Sequence, residues 1–384
     1  MMIMIEGRYM PKLTIEEHKV YLKELMEYGS KIKMDQCLVD DVLERHLRNV
    51  PNKKLYKFRT CSVRNFKTLE ENCIWMPSAS TFQDTFDCSI NIDFSANAPS
   101  LELWMKNNYM LFCLKFVKDV LKGLGIKIEY PRDIIERYIK TCVNDEGQID
   151  LDEEYNFLKQ FATQEELTNF DLIISNMNMV RKQIEAKLNS EQHVILEPVK
   201  KSIDFMRSYL RESTLVYCMT EHVDNNRLWE TYSANYSGFC IEYSFENYMG
   251  TDFDTYKNLV YLMPMQYVVD KPYFDIVPFL DIAMSDCLCE ENTILNNAEL
   301  MTKLNMQMYY KAKEYESEHE WRFSIKNENN SKQPFPFVNA IYVGKNIKPR
   351  NLSRLRNIAR KLGVPIFMQK INRHNNGYEY EPYD

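Results

Sequence analysis

Residues 314–325, EYESEHEWRFSI, place glutamates at every second position from 314 to 320, with Glu316, Glu318 and Glu320 immediately ahead of a strand-like run that carries an arginine. Alternate residues of an extended chain point to the same side. A strand beginning near His319 therefore sets Glu320, Arg322 and Ser324 on one face and Trp321, Phe323 and Ile325 on the other. The apolar trio must face a core, so Glu320 opens the strand facing either solvent or a cleft. Three carboxylates along one edge repel one another, which is expected to raise the pKa of the most buried. A metal held by Glu316, Glu318 and Glu320 is disfavoured, because no second ligand group stands near them in sequence.

Two other clusters have residue types that can do chemistry. In LYKFR (55–59), Tyr56 and Phe58 share one strand face and Lys57 and Arg59 the other, ahead of the loop PSASTFQDTFD (77–87). Arg59 can grip a phosphate or carboxylate bidentately, or simply close a salt bridge at a strand end. In the loop, Asp84 and Asp87 flank Phe86, and Ser78 and Ser80 are turn-capping residues. The second cluster is NNRLWETYSANYSGFCIEY (225–243), where a short helix with Leu228, Trp229 and Tyr232 leads through Gly238 into a strand. Trp229, Tyr232 and Tyr236 can wall a flat ring, or pack as ordinary core.

The elements that must position these residues are legible from periodicity. Thr14 with Glu17 forms a capping box ahead of an apolar stripe, Leu22, Leu25 and Met26, that stops near Gly29. A second stripe behind Asp35 ends at Pro51. Strand patterns occupy 55–60, 73–76, 214–220, 238–245, 259–269, 320–326, 337–344 and 364–371, with short helices at 62–72 and 350–363. Residues 100–212 are helical in spacing, two further helical patterns span 276–313, and NDEGQIDLDEEYN (144–156) lacks the spacing of a calcium loop. The expectation is an α+β fold: a mixed, mainly antiparallel sheet core with a large helical insertion and an N-terminal helical segment. Its expected divisions are 1–50 for the N-terminal segment, 51–95 and 213–384 for the two parts of the core, and 96–212 for the insertion.

Composition narrows the class. The 384 residues are 45% hydrophobic and 27% charged, with a net charge of -7, which fits a globular chain and argues against a broad nucleic-acid-coating surface. No run reaches the length of a membrane span, and the start MMIMIEGRYMPK lacks the parts of a signal peptide, so the expected location is cytoplasmic, with no membrane partner. Ten cysteines include no CxxC pair and no matching histidine spacing, so no metal cofactor is expected. P-loop, GxGxxG, GxSxG, HExxH and deaminase signatures are all missing from the sequence.

Taken together, LYKFR, LEENCIWMPSASTFQDTFD, LVYCMTEHVDNNRLWETYSANYSGFCIEY, EHEWRF and VNAIYVGKNI resemble the bacterial family DUF2971, whose members carry LYKYR, LWFSSPxxFNDPFD, a CFSE…LMWSHYAxxHxGFCIxF block, EKEWR and IYLG in the same order. The likeness covers the strand-bearing parts of 55–94 and 214–372. Two departures stand out: Asn-Asp-Pro-Phe is here Gln83, Asp84, Thr85, Phe86, and the histidine of SHYA is Thr231.

By analogy, an early arginine, an aromatic middle element and a late Glu-x-Glu are similar in order to ADP-ribosyltransferases. That likeness implies an NAD-dependent ADP-ribosyltransferase or NAD glycohydrolase of toxin or phage-defence type, with NAD as substrate. Arg59, Ser78 and Phe86 would help seat NAD, and Trp229 or Tyr232 would stack nicotinamide. Glu320 would steady an oxocarbenium-like ribose, and Glu318 would activate an unknown macromolecular acceptor, protein or nucleic acid. An antitoxin or regulator would be a further partner; a nucleic-acid acceptor would meet the basic helix 350–361, which reads equally as a solvated face with Leu352 and Ile358 on its other side. Two other readings stay open: a non-enzymatic module binding a nucleotide or protein, and a metal-dependent nuclease using Asp84, Asp87 and Glu320.

Overall fold

The computed structural model describes residues 13–93 except 83, 85 and 86, residues 208–278 except 209, residues 297–372 and 377–383, and a few positions between (137, 140–142, 153, 156, 157, 159, 160, 204, 207 and 280). Most of the helical stretches expected within 100–212, and nearly all of 144–156, lie outside the described residues. The chain forms two compact units, one of residues 1–90, 208–272 and 305–384, the other of 91–207 and 273–304. In the second, the Phe274 N–H donates to the Asn91 carbonyl at 2.7 Å.

The first unit holds an eight-stranded sheet, and the fold is α+β. Its strands are β1 (Lys54–Arg59), β3 (Thr214–Thr220), β4 (Phe239–Ser244), β5 (Leu262–Pro264), β8 (Glu320–Lys326), β10 (Val338–Val343), β11 (Ile366–Asn372) and β12 (Gly377–Pro382). They lie in the order β12-β11-β10-β4-β1-β3-β8-β5, and only β10 and β11 run parallel. Two small pairs complete the strands among the described residues: β2 (Cys73–Trp75) with β9 (Lys332–Pro334), and β6 (Gln266–Val268) with β7 (Tyr310–Ala312). Central β4 is buried along nearly its whole length because both sheet faces are covered. Ile241 and Tyr243 enter the main core, whereas Cys240 joins Phe58, Trp229 and Tyr236 on the other face.

The helices start and stop for local reasons. Helix α1 (Ile15–Tyr28) opens on the Thr14–Glu17 capping box and ends at Gly29, which takes a positive φ of 51°. Helix α2 (Gln36–His46) is capped by Asp35, and α3 (Val63–Glu70) by Ser62. Helix α4 (Asn226–Tyr232) begins at Asn225, and α5 (Pro349–Leu362) ends at left-handed Gly363. Leu22, Leu25, Val39, Val42 and Leu43 of α1 and α2 belong to the same core as the sheet. On α5, Arg354 lies over the Phe66 ring, Arg356 over Tyr383, and Lys361 pairs with Glu70, so part of this basic helix is spent on packing.

The strand expected over 259–269 is not one strand. Its first residues form a 3-10 turn, Lys257–Tyr261, and the rest divides at Met265 into β5 and β6. Pro264 has no N–H to continue a ladder. Beyond it the chain changes partner: Met265 N–H still donates to β8, at the Glu320 carbonyl (2.9 Å), whereas Gln266 N–H donates to that of Tyr309 (2.8 Å). The end of the expected helical stretch 276–313 is likewise different, with β7 at 310–312 running into a 3-10 turn, Lys313–Glu318.

One irregularity of the sheet creates the site. β1 pairs with β4 over six residues but with β3 only at Tyr56↔Thr220. The two strands therefore part, and the sheet is two ladders joined at one point. Lys57 reaches across the gap, its Nζ donating to the Cys218 carbonyl at 2.5 Å, which satisfies an acceptor that strand pairing leaves open on that side.

Candidate functional site

A cavity of about 760 Å³ opens where β1 and β3 diverge, a size usual for small-molecule sites. Consecutive residues of both strands, 56–59 and 216–220, line it because the gap exposes strand edges as well as faces. The loop after β2 contributes Pro77, Phe82, Asp84 and Asp87; α4 gives Leu228, Thr231 and Tyr232; β7 and the turn after it give Lys311, Tyr315 and Glu318; β8 gives Glu320 and Arg322. The loop is pinned by Arg211, whose Nη2 donates to the carbonyls of Ala79, Phe82 and Asp84 at 3.1–3.2 Å.

Part of the cavity lining is a buried charge network. Glu320 is 6% exposed and Arg322 1%. Glu320 Oε1 accepts from Arg322 Nε and Oε2 from Lys311 Nζ, each at 2.5 Å. Lys311 Nζ also donates to Glu318 Oε2 at 2.7 Å. Arg322 continues to Asp87, with Nη1 2.8 Å from Oδ1 and Nη2 donating to Oδ2 at 2.9 Å, and to the Met308 carbonyl at 3.1 Å. Glu320 N–H donates to the Tyr267 hydroxyl at 2.7 Å, so the residue is held at both ends.

The expected rise in the pKa of the most buried glutamate is overturned. Burial by itself would raise the Glu320 carboxyl, but the adjacent Arg322 and Lys311 outweigh it and hold the carboxyl well below the usual range. Burial likewise disfavours the Lys311 ammonium, and Glu320 and Glu318 together hold its pKa above that of an ordinary lysine. Glu316 takes no part; it pairs with Lys313 and is half-exposed. Strand alternation is not what aligns Glu318 with Glu320. Glu318 ends the 3-10 turn, His319 takes left-handed φ/ψ of 43° and 49°, and that reversal brings both carboxylates to one lysine.

On another wall, the Arg59 guanidinium lies 5.0 Å from the centre of the Tyr217 ring, and Lys57 Nζ is also 5.0 Å from it. Among the described residues neither cation has a carboxylate within ion-pair distance. Burial and the Arg59 charge push the Lys57 ammonium down to about 8. Gly238 makes this wall possible: a Cβ there would stand 2.2 Å from the Arg59 carbonyl, so only glycine lets α4's exit pass β1 this closely.

Of the residues singled out from sequence, Arg59, Tyr232, Glu318 and Glu320 share the cavity, and Tyr232 is 50% exposed. Trp229 does not line it. Its ring is fully buried against Phe58 and Tyr236, and its Nε1 donates to the Val223 carbonyl (2.7 Å) and the Tyr380 hydroxyl (3.0 Å), so it supports α4 rather than stacking a ligand. Ser78 caps the turn Ala79–Thr81 and donates to the Arg211 carbonyl at 2.9 Å; it orders the loop and is not among the lining residues. Phe86 lies outside the described residues. Lys57 and Lys311 carry much of the site's charge yet have no role that the sequence pattern marks, and Asp87, a metal ligand in the nuclease reading, instead pairs with Arg322. Lys311 sits in a three-residue strand with no motif, and only its 3-10 turn of glutamates marks the neighbourhood. Thr231, the departure from SHYA, lines the cavity, so the substituted position faces whatever binds.

A divalent ion between Asp87 and Glu320 would have to displace Arg322, whose guanidinium bridges the two. The nuclease arrangement of Asp84, Asp87 and Glu320 is therefore unfavourable in this geometry. No helix among the described residues is long and apolar enough to cross a membrane.

No curated protein and no solved structure matches the chain. A family model does, over residues 228–323, which run from α4 through the glutamate turn into β8. Over that stretch the chain is similar to the family described as Protein of unknown function (DUF2971).

Proposed function

We propose that the cavity binds an anionic, ring-bearing small molecule of the nucleotide class, NAD foremost, and that its chemistry is cleavage of the nicotinamide–ribose bond. The observation that carries this reading is the division of charge within one cavity. Arg59 and Lys57 are cations without a carboxylate partner among the described residues, suited to phosphate. Glu318 and Glu320 form an anionic pair suited to a ribose that becomes positive as neutral nicotinamide leaves. Tyr232, half-exposed on the cavity lining, supplies a ring surface.

The network redistributes the two glutamate roles. Both Glu320 oxygens are engaged, one by Arg322 and one by Lys311, whereas Lys311 holds only Oε2 of Glu318. Glu318 is then the carboxylate that meets the developing charge, and Glu320 fixes Lys311 and through it Glu318. Water or a macromolecular acceptor would complete the transfer.

The test is titration calorimetry with NAD, paired with chromatographic detection of free nicotinamide. Wild type is expected to bind saturably and to release nicotinamide. Arg59→Ala should weaken binding by roughly tenfold or more, and Glu318→Gln should bind normally while losing on the order of 10² in turnover. Absence of binding to NAD would sink the reading. Saturable binding with no nicotinamide from wild type would favour a second one, a nucleotide-sensing module, to which a Glu320 carboxylate already ion-paired to Arg322 and Lys311 is equally suited.

A further inference from the structure

The register that sets Thr220 opposite Glu320 also brings the residues just beyond both strand ends together. Glu221 is buried there, its Oε1 accepting from the Trp321 indole Nε1 at 2.9 Å. Its Oε2 lies 3.5 Å from His319 Nδ1 and 3.9 Å from His222 Nε2. The imidazoles meet edge to face with centroids 4.7 Å apart, and one ligating atom from each of the three residues lies within 4.8 Å of the others. Both separations from Oε2 exceed the roughly 2.7–2.9 Å of a charge-assisted hydrogen bond.

We propose that Glu221, His222 and His319 form a binding site for a transition-metal dication, with Zn²⁺ the best match and a fourth position open to water. Two imidazoles and one carboxylate are a borderline-soft donor set that suits zinc better than calcium or magnesium. In a tetrahedral site with metal–ligand distances near 2.0–2.2 Å, ligand atoms stand about 3.3 Å apart. The widest spacing here needs to close by about 1.5 Å, within reach of rotating two imidazoles that are each about a third exposed. The Trp321 hydrogen bond already orients the carboxylate, as partners behind metal ligands commonly do. The Glu221 N–H donates to the His319 carbonyl at 3.2 Å, tying the two ligand-bearing segments together.

Such an ion would fix His319, the left-handed residue between Glu318 and Glu320, and so stiffen the turn that aims both carboxylates at Lys311. The site stands on its own geometry and does not depend on what the neighbouring cavity binds.

The experiment uses the full chain, stripped with a chelator and titrated with Co²⁺ alone, then with Zn²⁺. The expected result is one Co²⁺ per chain with the visible absorption of a low-symmetry site, bleached by Zn²⁺, and a rise in melting temperature with Zn²⁺. His222→Asn and His319→Asn should each abolish the absorption and the thermal shift while leaving the far-UV circular dichroism unchanged. His222 is partly exposed and outside the strands, so its variant carries the test if the other does not fold. Absence of the absorption in wild type, or the same metal response in wild type and His222→Asn, overturns the proposal.

Discussion

Glu320→Gln is the most informative single change, because its first effect should be on stability. The amide keeps the shape of the side chain but removes the charge that Arg322 Nε and Lys311 Nζ both contact at 2.5 Å. Breaking a buried ion pair typically costs about 3–5 kcal/mol. Lys311 keeps Glu318 and Arg322 keeps Asp87, so the lower end, about 3 kcal/mol, is expected; this is on the order of 10² in the folding equilibrium. The pH dependence follows from the direction of the shift. The folded carboxyl titrates below its unfolded value, so its contribution is complete above about pH 4.3 and fades as pH falls through that value toward the folded pKa. Urea unfolding, read by tryptophan fluorescence with Trp321 in the adjacent core, should show a gap between wild type and variant that is constant from pH 7 to 5 and narrows below about 4.3. Equal midpoints at pH 7, or a gap that widens on acidification, would refute the reasoning about the network. Loss of activity in this variant alone would not identify Glu320 as acting on substrate, which is why Glu318→Gln is the functional test.

Burial and the neighbouring Arg59 push the Lys57 ammonium down to about 8, so affinity for a phosphate-bearing ligand should fall as pH rises from 7 to 9, and Lys57→Gln should flatten that dependence in calorimetry. Buried His46 donates through Nε2 to the Leu262 carbonyl and stacks on Tyr21, and burial pushes its pKa down to about 4. Its contribution to stability should therefore be complete above about pH 6.5 and be lost progressively toward pH 4, by about 3 kcal/mol in all. His46→Gln should shallow the slope of stability against pH over that window, and an unchanged slope would count against the assignment. Gly238→Ala should destabilise by about 1–3 kcal/mol, since its new methyl meets the Arg59 carbonyl at 2.2 Å, and should weaken nucleotide binding by shifting β1. A melting point matching wild type would contradict that.

Local rules read much of the scaffold correctly. The capping box at Thr14 and Glu17, the caps at Asp35 and Ser62, and the stop at Gly363 depend on residues a few positions apart, so the sequence already contains both partners. The strands at 214–220 and 320–326 coincide with β3 and β8, and strand phase correctly sent Trp321 and Phe323 to the core and kept Glu320 and Arg322 off it. The continuous strand at 259–269 failed where a proline let the chain change ladders, an event set by partners at Tyr309 and Glu320 rather than by the pattern of the segment itself.

The sequence by itself determined which residue types would reach a cleft: an arginine at the end of β1, a tyrosine on α4 and glutamates before β8. Only the tertiary structure decided their states. Side-chain period says which way a residue points, but a carboxylate's charge is fixed by desolvation and by neighbours across space. Glu320 owes its ionisation to Lys311 and to Arg322, and Arg322 in turn meets Asp87, 235 residues earlier in the chain. Trp229 looked like a ligand platform until packing placed it under α4, and Glu221, His222 and His319 became neighbours only through the pairing of β3 with β8. The cavity itself has no sequence signature, because it exists where β1 and β3 pair once and then separate.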